Sequence, residues 1–252
     1  MKRWCQILSG NLLVTLFLLM VLVIGSTYFT KNLLVLRLVL ISSIPLFFGF
    51  YFLKRKQLGL PIISFLLFTF LGNAFLVIFF EANYVGISNM LYLLALVSLI
   101  FNLVPQFKMQ LENRNTWLVV YLLAMFMIGL CFLLEISRVF RALVLNDVEF
   151  YVFVFQALSL LVLGVLSFGM YLNTQSHSAI RFLVAILCFG FALAVNYVST
   201  FYLYDFIFEL LSSIFYVSGL YFIFKFLWTE NKIKPQKPIE DCEVFYSEIV
   251  FT

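Results

Sequence analysis

The chain has 252 residues, 64% hydrophobic and 11% charged, with 33 phenylalanines and a formal net charge of +4. Soluble domains carry about a quarter charged residues, so this composition sets aside a soluble enzyme and points to an all-α, polytopic transmembrane helical bundle. The basic residues sit between apolar runs, where they report topology and give no sign of a nucleic-acid partner.

The chain opens on a short basic start, Met1 to Gly10, followed by the apolar run Leu12 to Phe29. Lys2 and Arg3 precede the run as they would in a signal peptide, but it is long for a signal core and no A-x-A site follows. It reads as a first membrane helix that stays. The second span is Leu33 to Leu53, ending at Lys54-Arg55-Lys56, with Arg37 near its start and Pro45 expected to kink it after Ser42-Ser43.

The third span, Leu58 to Phe80, is the most telling: 23 residues, no charge, and one strongly polar side chain, Asn73, behind Gly72. A helix of that length crosses the roughly 30 Å hydrocarbon core. Unsatisfied polar groups cost several kcal/mol there, so Asn73 is expected to face protein rather than lipid. The fourth span, Val85 to Val104, is expected to stop at Pro105, and the fifth is Trp117 to Leu134.

The connection Glu135 to Glu149 carries Glu135, Arg138 and Arg141 at a helical spacing that reads as an interfacial segment with a solvated polar face. The sixth span is Phe150 to Leu172, the seventh Ile180 to about Tyr204, the eighth Phe206 to Leu227. These spans form one domain, 1–227, and a polar cytoplasmic tail follows, 228–252, expected to be loosely ordered. Eight spans put both termini on one side. With the N-terminus inside, inner segments hold twelve Lys and Arg and outer ones three, Lys31, Arg138 and Arg141. That asymmetry makes both termini cytoplasmic, in what is expected to be a bacterial inner membrane.

Cys5, Cys131, Cys188 and Cys242 show no CxxC spacing, and His177, the only histidine, lies in the polar stretch NTQSHS. Neither a disulfide framework nor a metal site is suggested, and no cofactor is expected. There is no GxSxG, no HExxH and no glycine-rich phosphate loop.

Counting along the helices places Asn73 about 22 Å and Asn196 about 24 Å from the inner side, with Arg37 about 8 Å below the outer side. Glu209 is similarly shallow and Gln156 slightly deeper, while Glu135 and Asp205 fall at the outer rim. Four helices thus bring Arg37, Asn73, Asn196 and Glu209 to one outer-third slab, with Arg37 expected to pair with Glu209. Such residues often face a wet cavity or mark a site. The plainer alternative is that Arg37 and Glu209 snorkel to the interface and the asparagines act as packing glue.

This pattern resembles the YhhN-like family, whose characterised members are eight-helix lysoplasmalogenases that hydrolyse the vinyl ether of lysoplasmalogens. Arg37-Leu38 stands where the family has Lys-Pro, and Gly72-Asn73 where it has Gly-Asp. Asn196 takes the polar position of the seventh helix, and Tyr216 with Ser218-Gly219 the closing motif. The resemblance implies membrane lipids, lysophospholipid among them, as partners. Together with the shared depth of the polar residues, it makes Asn73, Asn196 and Glu209 the candidate catalytic positions, and Arg37, Gln156 and Tyr216 the candidate substrate-binding ones. The departures are chemical: opening a vinyl ether needs a proton delivered and a water activated, and an amide does neither. Glu209, Asp205 or Glu135 would have to supply the acid, or the protein is a degenerate relative that still binds lipid. Two other readings stand beside it. One is a non-enzymatic sensor or assembly module. The other is a small transporter, which is weakened because no repeated halves are visible.

Overall fold

A computed structural model describes residues 2–52, 59–78, 85–111, 116–142, 147–202 and 204–233. Among them the chain forms eight α-helices and no strand: α1 (Lys2–Thr30), α2 (Leu33–Phe52), α3 (Leu60–Ile78), α4 (Val85–Leu111), α5 (Thr116–Arg141), α6 (Asp147–Thr174), α7 (His177–Phe201) and α8 (Phe206–Ile233). Seven are long and apolar enough to cross a membrane, and α2 contributes a shorter apolar stretch, Leu33–Gly49. The protein is therefore an integral, multi-pass membrane protein. Helices suit that setting because their backbone donors and acceptors are satisfied within the segment.

Local chemistry sets the turns. Lys31 takes a left-handed φ of 47° after α1, and Asn32 Oδ1 accepts from Leu34 N at 3.0 Å to start α2. Gln175, with φ 45°, closes α6, and Ser176 caps α7 by accepting from Ala179 N at 3.3 Å. The Asp205 carboxylate accepts from Ile207 N at 3.1 Å at the head of α8. Pro61 sits in the first turn of α3, where a missing N–H leaves no bond unmade.

Several helix ends differ from the sequence reading. Pro105 does not stop α4, which continues to Leu111, because one proline removes one ladder bond without ending the pattern around it. The charged stretch after Leu134 is not a separate interfacial segment. It is the last turns of α5, held by an exposed Arg138–Glu135 pair at 2.8 Å, and α6 begins already at Asp147. Arg141 reaches across to Asp147 at 3.2 Å. At the two termini, α1 starts at Lys2 rather than Leu12, and α8 runs past Leu227 to Ile233. The tail beyond, 234–252, lies outside the described residues, as do the basic cluster at 54–56 and Glu81.

Helix neighbours close a ring in the order α1, α2, α3, α4, α6, α7, α8 and back to α1, while α5 packs outside it against α6. The closest pairings are α7 with α8 and α3 with α4. Phe47 stacks on Phe224 at 5.4 Å and Phe182 meets Phe226 at 4.9 Å, filling the half of the ring away from the α7–α8 turn. Gly219 lets α8 approach α7: a Cβ there would stand 2.8 Å from the Phe189 ring, whereas one at Gly190 would meet nothing within 4 Å.

That contrast gives a test of the packing. Gly219→Ala should destabilise the protein by about 1–3 kcal/mol, because a ring must move in a filled interface. Gly190→Ala should be neutral or stabilising by up to about 1 kcal/mol, since alanine is the better helix former. Unfolding midpoints of the two variants in one detergent would show whether the order holds.

Candidate functional site

Inside the ring, towards the α7–α8 turn, lies a cavity of about 380 Å³ with walls from α2, α3, α4, α6, α7 and α8. Arg37, Asn73, Gln156, Asn196, Glu209 and Tyr216 all line it, so the six residues singled out from the sequence share one space. They do not share one level or one condition.

Asn73 is buried at 4% exposure and fully engaged. Its Nδ2 donates to Thr69 O one turn back and to the Tyr216 hydroxyl of α8, both at 3.0 Å. Its Oδ1 accepts from the Tyr92 hydroxyl of α4 at 2.8 Å. Ser88, one turn before Tyr92, donates to Gly72 O at 2.9 Å and fastens the same two helices again. One amide thus ties α3, α4 and α8 together. Gln156 does the same for α4, α6 and α7: fully buried, it donates to Asn89 O and accepts from the Tyr197 hydroxyl at 3.1 Å.

The other tier stands nearer the α7–α8 turn. Ser212 Oγ donates to Ala192 O at 2.9 Å, which fixes the register of the antiparallel pair and sets Asn196 level with Glu209. Tyr216 lies two turns, about 10 Å, further along α8, and Asn73 lies with it. The single slab inferred for Asn73 and Asn196 is therefore two tiers. Depth counted from span ends presumes that all spans begin in one plane, and these helices do not. Arg37 and Glu209 form no close ion pair among the described residues, but the guanidinium acts electrostatically on the carboxylate within the cavity both line. The guanidinium Nη1 donates to Leu76 O of α3 at 2.9 Å.

The tiers also differ in how their polar atoms are used. The half-buried side chains of Asn196 and Glu209 make no hydrogen bond among the described residues, and Ser199 Oγ is buried without a partner. Glu209 is the one carboxylate lining the cavity among the described residues. Asp205 caps a helix and Glu135 pairs with Arg138 outside, so neither supplies an acid here. Sequence reasoning missed Tyr92, Asn89, Tyr197 and Ser199. The signal available was Ser88, Asn89 and Tyr92 at helical spacing in the fourth span, and Tyr197 beside Asn196.

The fold and cavity define a class: a multi-pass helical membrane protein with an amphipathic internal site. No protein-family model, curated protein or solved structure matches the chain.

The two asparagines should part company on substitution. Asn73→Leu breaks three bonds and strands two tyrosine hydroxyls, lowering stability by about 1–3 kcal/mol. Asn196→Leu removes no side-chain bond among the described residues and should leave stability within about 0.5 kcal/mol of the parent. Equal effects in a melting experiment would show that the amide at 73 is not the tie described.

Proposed function

We propose that the cavity binds a single-chain phospholipid, headgroup towards the α7–α8 turn and chain towards the ring interior. The supporting observation is the polarity gradient of one cavity. Arg37, Asn196 and Glu209 line the end near the turn, whereas Phe65, Leu96, Leu160 and Phe189 line the part further in. Phe65 lies eight residues, about 12 Å, before Asn73 along α3. One guanidinium for a phosphate and one carboxylate for an ammonium complement a zwitterionic phospho-base, as charged groups in a membrane interior commonly serve a ligand.

On this reading the protein is a divergent YhhN-like relative that keeps lysophospholipid binding and has lost most of its ether hydrolysis. Amides stand at both positions where the resemblance places acids, and the Asn73 amide is committed to helix ties. Purified protein should bind lysophosphatidylcholine, and Arg37→Gln and Glu209→Gln should each weaken binding about tenfold, the scale of one charge-assisted bond. Aldehyde release from lysoplasmalogen should stay near background. Absence of binding would remove the reading, and robust turnover unaffected by Glu209→Gln would remove the degeneracy.

The proposal includes eight crossings and cytoplasmic termini in a bacterial inner membrane. The 20 residues of α2 rise about 30 Å, enough to cross with the rest. The basic asymmetry of twelve to three supports the orientation. Reporter fusions after Pro105 and at the C-terminus should both report cytoplasm, and an external signal from either would overturn the topology.

A further inference from the structure

Asn73 carries the resemblance to an acid–base position, yet its bonds assign it a different task. Thr69 O is a carbonyl and can only accept, so the side of the amide facing it must be Nδ2. The same nitrogen donates its other hydrogen to the Tyr216 oxygen, and Oδ1 is left to accept from Tyr92. The bonds therefore run in one direction, from Tyr92 to Asn73 to Tyr216. A phenol has a single proton, and among the described residues nothing accepts the one on Tyr216. Tyr216 lines the cavity, so that proton has the cavity to go to. Bonds in a directed chain polarise one another and make the last hydroxyl a better donor.

We propose that Tyr216 donates a hydrogen bond to the glycerol hydroxyl of the bound lipid, and that Asn73 is the positioning residue that turns the tyrosine proton into the cavity. This rests on the phospholipid reading above and specifies where the ligand is recognised beyond its headgroup. Tyr216 lies deeper than the Arg37 and Glu209 tier, and in a lysophospholipid the glycerol follows the phosphate in that direction. The cavity then distinguishes a glycerophospholipid from a single-chain amphiphile with the same headgroup.

The test crosses two ligands with three variants of the full-length protein in maltoside micelles. Lysophosphatidylcholine has the glycerol hydroxyl, and dodecylphosphocholine has the headgroup and a chain but no glycerol. Tyr216→Phe should weaken lysophosphatidylcholine about tenfold and leave dodecylphosphocholine unchanged. Asn73→Asp keeps the shape but turns the bond round: a carboxylate takes the tyrosine proton, and the preference for the glycerol-bearing ligand should vanish likewise. Tyr92→Phe frees the amide from its orienting donor and should give a smaller loss of the same kind. Equal weakening of both ligands by Tyr216→Phe, or none, overturns the proposal while leaving phospholipid binding intact.

A readout without ligand separates the two ideas. The tyrosine Raman doublet, taken as parent minus Tyr216→Phe, reports whether that hydroxyl accepts or donates. Asn73→Asp should move it to the donor side. If neither phosphocholine binds the parent, the phospholipid reading falls, and glycerol recognition falls with it. An unmoved doublet overturns the positioning role of Asn73 whatever binds.

Discussion

The amide of Asn73 is the constraint on which the cavity depends. In hydrocarbon, helices gain little from burying apolar side chains against one another, because lipid tails are equally apolar. Helix positions are then fixed by close packing and by the few polar bonds that cross between helices, each worth about 0.6–2 kcal/mol. Asn73 makes two such crossings, to Tyr92 of α4 and Tyr216 of α8, and Gln156 makes two more, to Asn89 of α4 and Tyr197 of α7. Together they set the spacing and register of five of the six helices that form the cavity walls. They fix register as well as adding stability, since a slip of one residue along α8 would carry Tyr216 away from Asn73 while Thr69 and Tyr92 stayed in place.

Against these committed groups stand Asn196 and Glu209, whose half-buried side chains make no hydrogen bond among the described residues, and Ser199, whose hydroxyl is buried without one. Buried polar groups are nearly always hydrogen-bonded, and a membrane interior sharpens the penalty for leaving one unmade. A bundle selected only for packing would have apolar side chains here. The cluster therefore points away from the plain packing-glue reading for the tier near the α7–α8 turn, and agrees with that reading for Asn73 and Gln156.

Much of this was legible from residue order. A 23-residue uncharged run with a single asparagine implies both a crossing helix and an asparagine turned inwards, and both hold at α3. Helix ends were less legible, because a hydropathy change marks where an apolar run stops and not where the backbone stops being helical. Hence α5 continues through Glu135 and Arg138, whose own pairing supports the extra turns, and α4 continues through Pro105. Vertical position was the least legible. It depends on where each helix starts relative to its neighbours, which only cross-helix bonds such as Ser212 to Ala192 O reveal. Tyr92 escaped notice for a related reason: among 13 tyrosines, only its helical spacing from Ser88 and Asn89 distinguishes it from one at a lipid interface.

An asparagine at this node does something an aspartate could not. A carboxylate is acceptor only, so with an acid at 73 both tyrosines would donate inwards and neither hydroxyl would present its proton to the cavity. An amide both gives and receives, which allows Tyr92 and Tyr216 to take opposite roles on its two sides. The amide leaves the Tyr216 proton unclaimed by Asn73 and free to point into the cavity that Tyr216 lines. The two demands, tying three helices and presenting a directed hydroxyl, are met by one side chain because its donor and acceptor ends are distinct.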